Sequence, residues 1–169
     1  NVNAGDFVCG TGALVPAQAT ISVSGSMTTC GGTTQSITSL SVGGSFTSSS
    51  ASMTATTLTL SGATASIGNA SITTLTATGV AVTIVAPVTL GNTTLSAGAI
   101  TVNTSQTLTF TNAVTATLSG DLNVNGTGSI VGNVDLTAAN ITVAGSMNGD
   151  GTGYAGGTNS AAGPGAGGG

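Results

Sequence analysis

Between Ile21 and Met147 the chain writes one heptad seven times: ISVSGSM from Ile21, LSVGGSF from Leu40, LTLSGAT from Leu58, LTATGVA from Leu75, ITVNTSQ from Ile100, LNVNGTG from Leu122 and ITVAGSM from Ile141. The starts are 19, 18, 17, 25, 22 and 19 residues apart. A period of about 20 residues marks a fold in which each unit buries its apolar face only by stacking on its neighbours. Each copy alternates apolar, polar, apolar, the period of a half-buried strand. The small residue and Gly that usually follow suit a corner or a close backbone approach. Between the copies stand further strand-like pieces: SMTAT (52–56), SIGNASI (66–72), VTL (88–90), LTF (108–110) and VDL (134–136).

Two or three short strands per turn is the count of a β-helix coil. The predicted fold is therefore all-β, a β-solenoid (parallel β-helix-like) with coils of about 17–25 residues. In it Leu40, Leu58, Leu75, Ile100, Leu122 and Ile141 are expected to lie buried in one column. The alternative is a β-sandwich, pilin-like module, for which Asn125-Gly126 and Asn148-Gly149 are hairpin signals. The predicted organisation is an N-terminal cap (1–20), a repetitive β domain (21–147) and a Gly-rich tail or linker (148–169).

Charge narrows the function classes. The 169 residues include no Lys, Arg or His, and the only acids are Asp6, Asp121, Asp135 and Asp150. Without cations a nucleic-acid partner is excluded, and so is a polybasic membrane contact. The longest apolar run, VAVTIVAPV (80–88), is about half the ~20 residues a membrane helix needs and carries Pro87, so it is read as a buried strand and no membrane span is expected. Ser and Thr supply about a third of the chain and invite a disordered reading, but 39% hydrophobic residues and a mean hydropathy of +0.46 argue for an ordered core. Thr also suits stacked strands, and an uncharged ladder avoids like charges about 4.8 Å apart. The chain opens at Asn1 without a basic segment before an apolar one, so an export signal is expected upstream.

Chemistry-bearing groups are few. Ser-His-Asp and Ser-Lys catalysis need side chains this chain lacks. Asp121 and Asp135 are 14 residues apart in a repeat near 20, so they are not expected to stack as a carboxylate pair. No catalytic residue, cofactor or metal site is predicted, and Asp150-Gly151-Thr152-Gly153 offers a Ca²⁺ ion only one carboxylate. Cys9 and Cys30 are either a disulfide or two buried thiols; the extracellular character favours the bridge, which would close a loop of about 20 residues and stabilise by roughly 3 kcal/mol. Asn69, Asn92, Asn103, Asn125 and Asn140 head N-glycosylation sequons, in a number that chance alone supplies at this composition. The Ser/Thr run 45–57 could equally carry O-linked sugar.

The recurring [IL]-[ST]-[VL]-x-G-[SA] pattern over 21–147, with the Gly-rich run after it, resembles the extracellular β-solenoid segments of surface adhesins and filamentous haemagglutinin-like proteins. The complete lack of basic residues departs from that family. The resemblance implies a secreted, elongated structural or adhesive role and carries over no functional residue. The expected function is a non-enzymatic extracellular or cell-surface structural protein, a subunit or segment of a filament or surface layer. Self-association is expected through the end near 141–147, with covalent glycans as a further possibility. An adhesin module for glycan or a host surface is the alternative.

Overall fold

The computed structural model describes the backbone of residues 2–4 and 7–8, and residues 20–29, 34–48 and 52–149 in full. In chain order the strands are β1 (Val2–Ala4), β2 (Phe7–Val8), β3 (Thr20–Val23), β4 (Met27–Thr28), β5 (Gln35–Val42) and β6 (Phe46–Thr47). There follow β7 (Met53–Leu60), β8 (Thr64–Ile67), β9 (Ala70–Ile84), β10 (Val88–Leu90), β11 (Thr94–Val102) and β12 (Thr107–Phe110). The last coils hold β13 (Val114–Leu118), β14 (Leu122–Val124), β15 (Ser129–Val131), β16 (Val134–Thr137), β17 (Ile141–Val143) and β18 (Ser146–Asn148).

The fold is all-β, a β-solenoid of about six turns. Every pairing is parallel, from β1 on β3 to β15 on β18. A parallel neighbour needs a crossover, so the antiparallel sandwich is ruled out. Asn125-Gly126 makes a tight turn, with Gly126 at φ 52°, but the turn joins β14 to β15, which lie on different faces and do not pair. Strands β1 and β2, inside the segment expected as a cap, continue the ladder onto β3 and β4.

The register sorts the inward side chains onto three faces. Face A runs Ile21, Leu40, Leu58, Leu75. Face B runs Met27, Phe46, Ala65, Val82, Ile100, Leu122, Ile141. Face C runs Gln35, Met53, Ala70, Val88, Leu108, Ile130, Met147. Bulky and small residues alternate where space requires it: Phe46 stacks on Ala65, and Ala55 lies between Ile37 and Ile72. That alternation lets the layers interdigitate at native density.

The predicted single column is thus corrected to two. Leu40, Leu58 and Leu75 belong to face A, whereas Ile100, Leu122 and Ile141 belong to face B. The heptad encodes a strand, a corner and the next strand, and it serves the A–B corner at Ile21 but the B–C corner at Ile141. The long 75-to-100 gap is where the motif changes corner. Ile141 is also 51% exposed instead of buried, because no further coil is described beyond it.

Strand β9 shows how the chain turns without a loop. Along it two inward residues alternate with an outward one, then two successive outward residues, Thr73 and Thr74, bend the strand from face C to face A. At the A–B corner the motif glycine has a steric reason. Gly25, Gly44 and Gly62 stand over one another, the Gly44 amide donating to the Gly25 carbonyl at 2.8 Å, and a Cβ on Gly62 would overlap the Gly44 carbonyl oxygen.

Candidate functional site

Among the described residues no group of three or more His, Cys, Asp or Glu comes together. Asp121 stands just before β14 at the edge of face B, where its carboxylate accepts a 2.8 Å hydrogen bond from the Asn140 amide. Asp135 lies on β16, on face A, opposite Thr115. The two carboxylates are on different faces. Asp6, Asp150 and the Cys9–Cys30 pair lie outside the fully described residues.

The five sequon asparagines divide by burial. Asn125 and Asn140 are exposed and Asn69 and Asn103 half-buried, all of them at corners or strand ends. Asn92 is 4% exposed and its amide is committed to the ladder. Its Oδ1 accepts from the Leu75 amide at 2.9 Å, while Nδ2 donates to the carbonyls of Leu75 and Thr94, each at 2.9 Å. The side chain bridges two coils where the backbone ladder between β9 and β11 is interrupted; the register resumes at Ala77 and Ala97. A sugar on Nδ2 would have to break these bonds inside the wall, so Asn92 is a structural residue and a poor acceptor. Nothing in its sequon distinguishes it from the exposed ones; the signal that would have found it is the coil register.

Two surfaces remain. One is the C-terminal end of the coil, where Ile141, Val143 and Met147 are 51%, 41% and 42% exposed and Val134, Leu136 and Ala138 only partly cover the last core layer. A recess of about 240 Å³ opens there between Ile130, Asn133, Val134 and Met147. It is smaller than the ~300–1,000 Å³ of a drug-sized ligand site.

The other surface is the outside of face A. On each coil the residues flanking the inward Leu or Ile point outward, and they read Thr20 and Ser22, Ser39 and Ser41, Thr57 and Thr59, Thr74 and Thr76. Beyond the Asn92 bridge they read Thr94 and Ser96, Thr115 and Thr117, Asp135 and Thr137. Thirteen of these fourteen positions carry a hydroxyl. The same triplet was readable along the chain, but the heptad alignment left face A after Leu75 and so hid it. Comparisons of the chain with protein-family models, with curated proteins and with solved structures found no match.

Proposed function

We propose that the chain is a non-enzymatic extracellular structural protein, a segment or subunit of a filament or surface layer that extends by adding coils end to end. The observation that carries this reading is the apolar end at Ile141, Val143 and Met147. Internal coils bury these same register positions under a following strand: Ile100 under Leu122, Val102 under Val124, Leu108 under Ile130. A next coil would cover the apolar side chains and extend the parallel ladder beyond β16 and β17. The first strands of another copy fit in kind, because β1 and β2 pair in parallel on faces A and B, the faces that β16 and β17 occupy at the C-terminal end. A head-to-tail contact of this sort does not close on itself and gives fibres.

The adhesin alternative draws less support. Sugar platforms use exposed aromatic rings, whereas Phe46 and Phe110 are buried. The test is light scattering and negative-stain microscopy on the full chain, beside Val143→Asp and a chain lacking 148–169. Concentration-dependent rods that Val143→Asp abolishes support the filament reading. A full chain that stays monomeric at high concentration removes its physical basis.

A further inference from the structure

Face A combines three properties, and no other face of the coil has all three together. The first is regularity. Its outward pairs hold Ser or Thr without interruption from Thr20 to Thr117, while face B is broken at Ala81, Ala99 and Asp121 and face C at Asn69 and Pro87. Coil length varies, yet the extra residues fall in the corners and the triplets stay in register.

The second property is that its hydroxyls are unspent. Elsewhere on the surface some hydroxyls bond across coils, Ser45 with Thr64 at 3.4 Å, Thr107 with Ser129 at 3.0 Å and Ser105 with Thr127 at 2.9 Å. Among the described residues none of the face A hydroxyls donates or accepts a hydrogen bond within the protein. The third is neutrality. From Thr20 to Thr117 the plate carries no charge, and Asp135 stands only at its last rank.

Such a plate has a two-dimensional repeat fixed by the core behind it. Neighbouring coils lie about 4.8 Å apart, and two outward residues flanking an inward one are about 6.6 Å apart along the strand. Thr side chains on strands are stiff at χ1, so methyl and hydroxyl positions repeat with the backbone. A single dissolved molecule gains little from exposed neutral hydroxyls, each already hydrated. A rigid lattice of neutral hydrogen-bonding groups with matching repeats engages many of them at once, with little ordering cost on either side.

We propose that face A is an ice-binding surface, in which the Ser/Thr ranks from Thr20 to Thr117 hold ordered water commensurate with the oxygen rows of an ice crystal. Both repeats of the plate are of the same order as the oxygen repeats on the prism faces of ordinary ice. Its neutrality matches an uncharged lattice, and its lack of aromatic rings sets it apart from surfaces that bind crystalline polysaccharide by stacking. This inference concerns the side of the coil and does not depend on the ends associating.

The experiment measures thermal hysteresis and partitioning into slowly growing ice with the full 169-residue chain, at a concentration where scattering shows monomers. The wild type is expected to open a freezing–melting gap and to shape ice crystals. Thr57→Tyr with Thr76→Tyr, in the middle of face A, should lower the gap several-fold, while Thr28→Tyr with Thr47→Tyr on face B leaves it unchanged. If a tyrosine pair disturbs folding, as read from circular dichroism, Thr57→Val with Thr76→Val keeps the shape and a strand-compatible side chain while removing two hydroxyls, and a reduced gap is again expected. The proposal is overturned by a wild type without hysteresis, by equal losses on faces A and B, or by folded face A variants that retain the full gap. Binding to insoluble cellulose or chitin without binding to ice, or native chains whose face A hydroxyls carry sugar, would overturn it as well.

Discussion

ISVSGSM at 21–27 and ITVAGSM at 141–147 differ only by Ser for Thr and Ser for Ala, yet the first is core and the second is surface. Ile21, Val23 and Met27 are 4%, 1% and 2% exposed; Ile141, Val143 and Met147 are 51%, 41% and 42% exposed. Intrinsic propensity cannot account for the difference. Each inward side chain of a coil is covered half by the coil before it and half by the coil after it, so a heptad is buried only when it has both neighbours. Stability in such a molecule is a sum of joins between coils, strongest in the middle and weakest at the uncovered end.

The comparison is most severely tested by truncating one inward side chain in each setting. Leu58 is 0% exposed, stacked between Leu40 and Leu75, and has no room to collapse. Leu58→Ala should cost about 2–5 kcal/mol. Ile141→Ala, removing a half-covered side chain from the last coil, should cost less than about 1 kcal/mol in the monomer. Urea unfolding at low protein concentration measures both. Equal losses would mean that the terminal coil is covered in solution, and the contrast drawn from the two heptads would fail.

What was legible in the sequence follows from the same contrast. Alternation and the recurring glycine disclosed parallel coils, because both answer to local geometry, the pleat and the close approach of Gly25, Gly44 and Gly62. The face assignment was not legible. Corner lengths vary, so a heptad that looks the same can occupy A–B or B–C, and a single column was expected where there are two. The plate on face A was present in the text as thirteen hydroxyls flanking a line of inward residues, but it emerges only once the register across the Asn92 bridge is known. Burial of Ile141 was expected wrongly because the motif says which side chain turns inward and not whether anything covers it.

Asn92 and Asn140 sharpen the comparison with a smaller effect. Both head sequons, and both amides reach across one coil, but Asn92 does so inside the wall and Asn140 at the exposed edge of the last coil. Asn92→Ala leaves the Leu75 amide and carbonyl buried without their partner, at a cost of about 1–3 kcal/mol. Asn140→Ala loses only a solvated bond to Asp121 and should stay within about 0.5 kcal/mol. Melting temperatures of the two variants check the ranking. A glycosylation-competent secreting host provides a second readout: because the chain has no Lys or Arg for trypsin, mass spectrometry of digests cut by a non-specific protease should find Asn92 unmodified whether or not Asn125 and Asn140 carry sugar.

The smallest expected effect is that of salt, and it too separates the middle of the molecule from its ends. No ionisable acid or base lies between Asp6 and Asp121 except Cys9 and Cys30, so the central coils contain no charge for an electrolyte to screen. Asp121 and Asp135 lie on the last coils, and with no Lys, Arg or His in the chain its carboxylates have no cationic side chain to pair with. Added NaCl can therefore weaken no side-chain salt bridge. It can only relieve repulsion among a few acids, a change of at most a few tenths of a kcal/mol. For a chain of this size that corresponds to a melting shift of less than about 2 °C between low and moderate salt. If the shift is many degrees, or if Ca²⁺ raises the melting temperature where NaCl does not, an ion bridges the acids of the last coils, and the end of the solenoid is held by more than its half-covered apolar side chains.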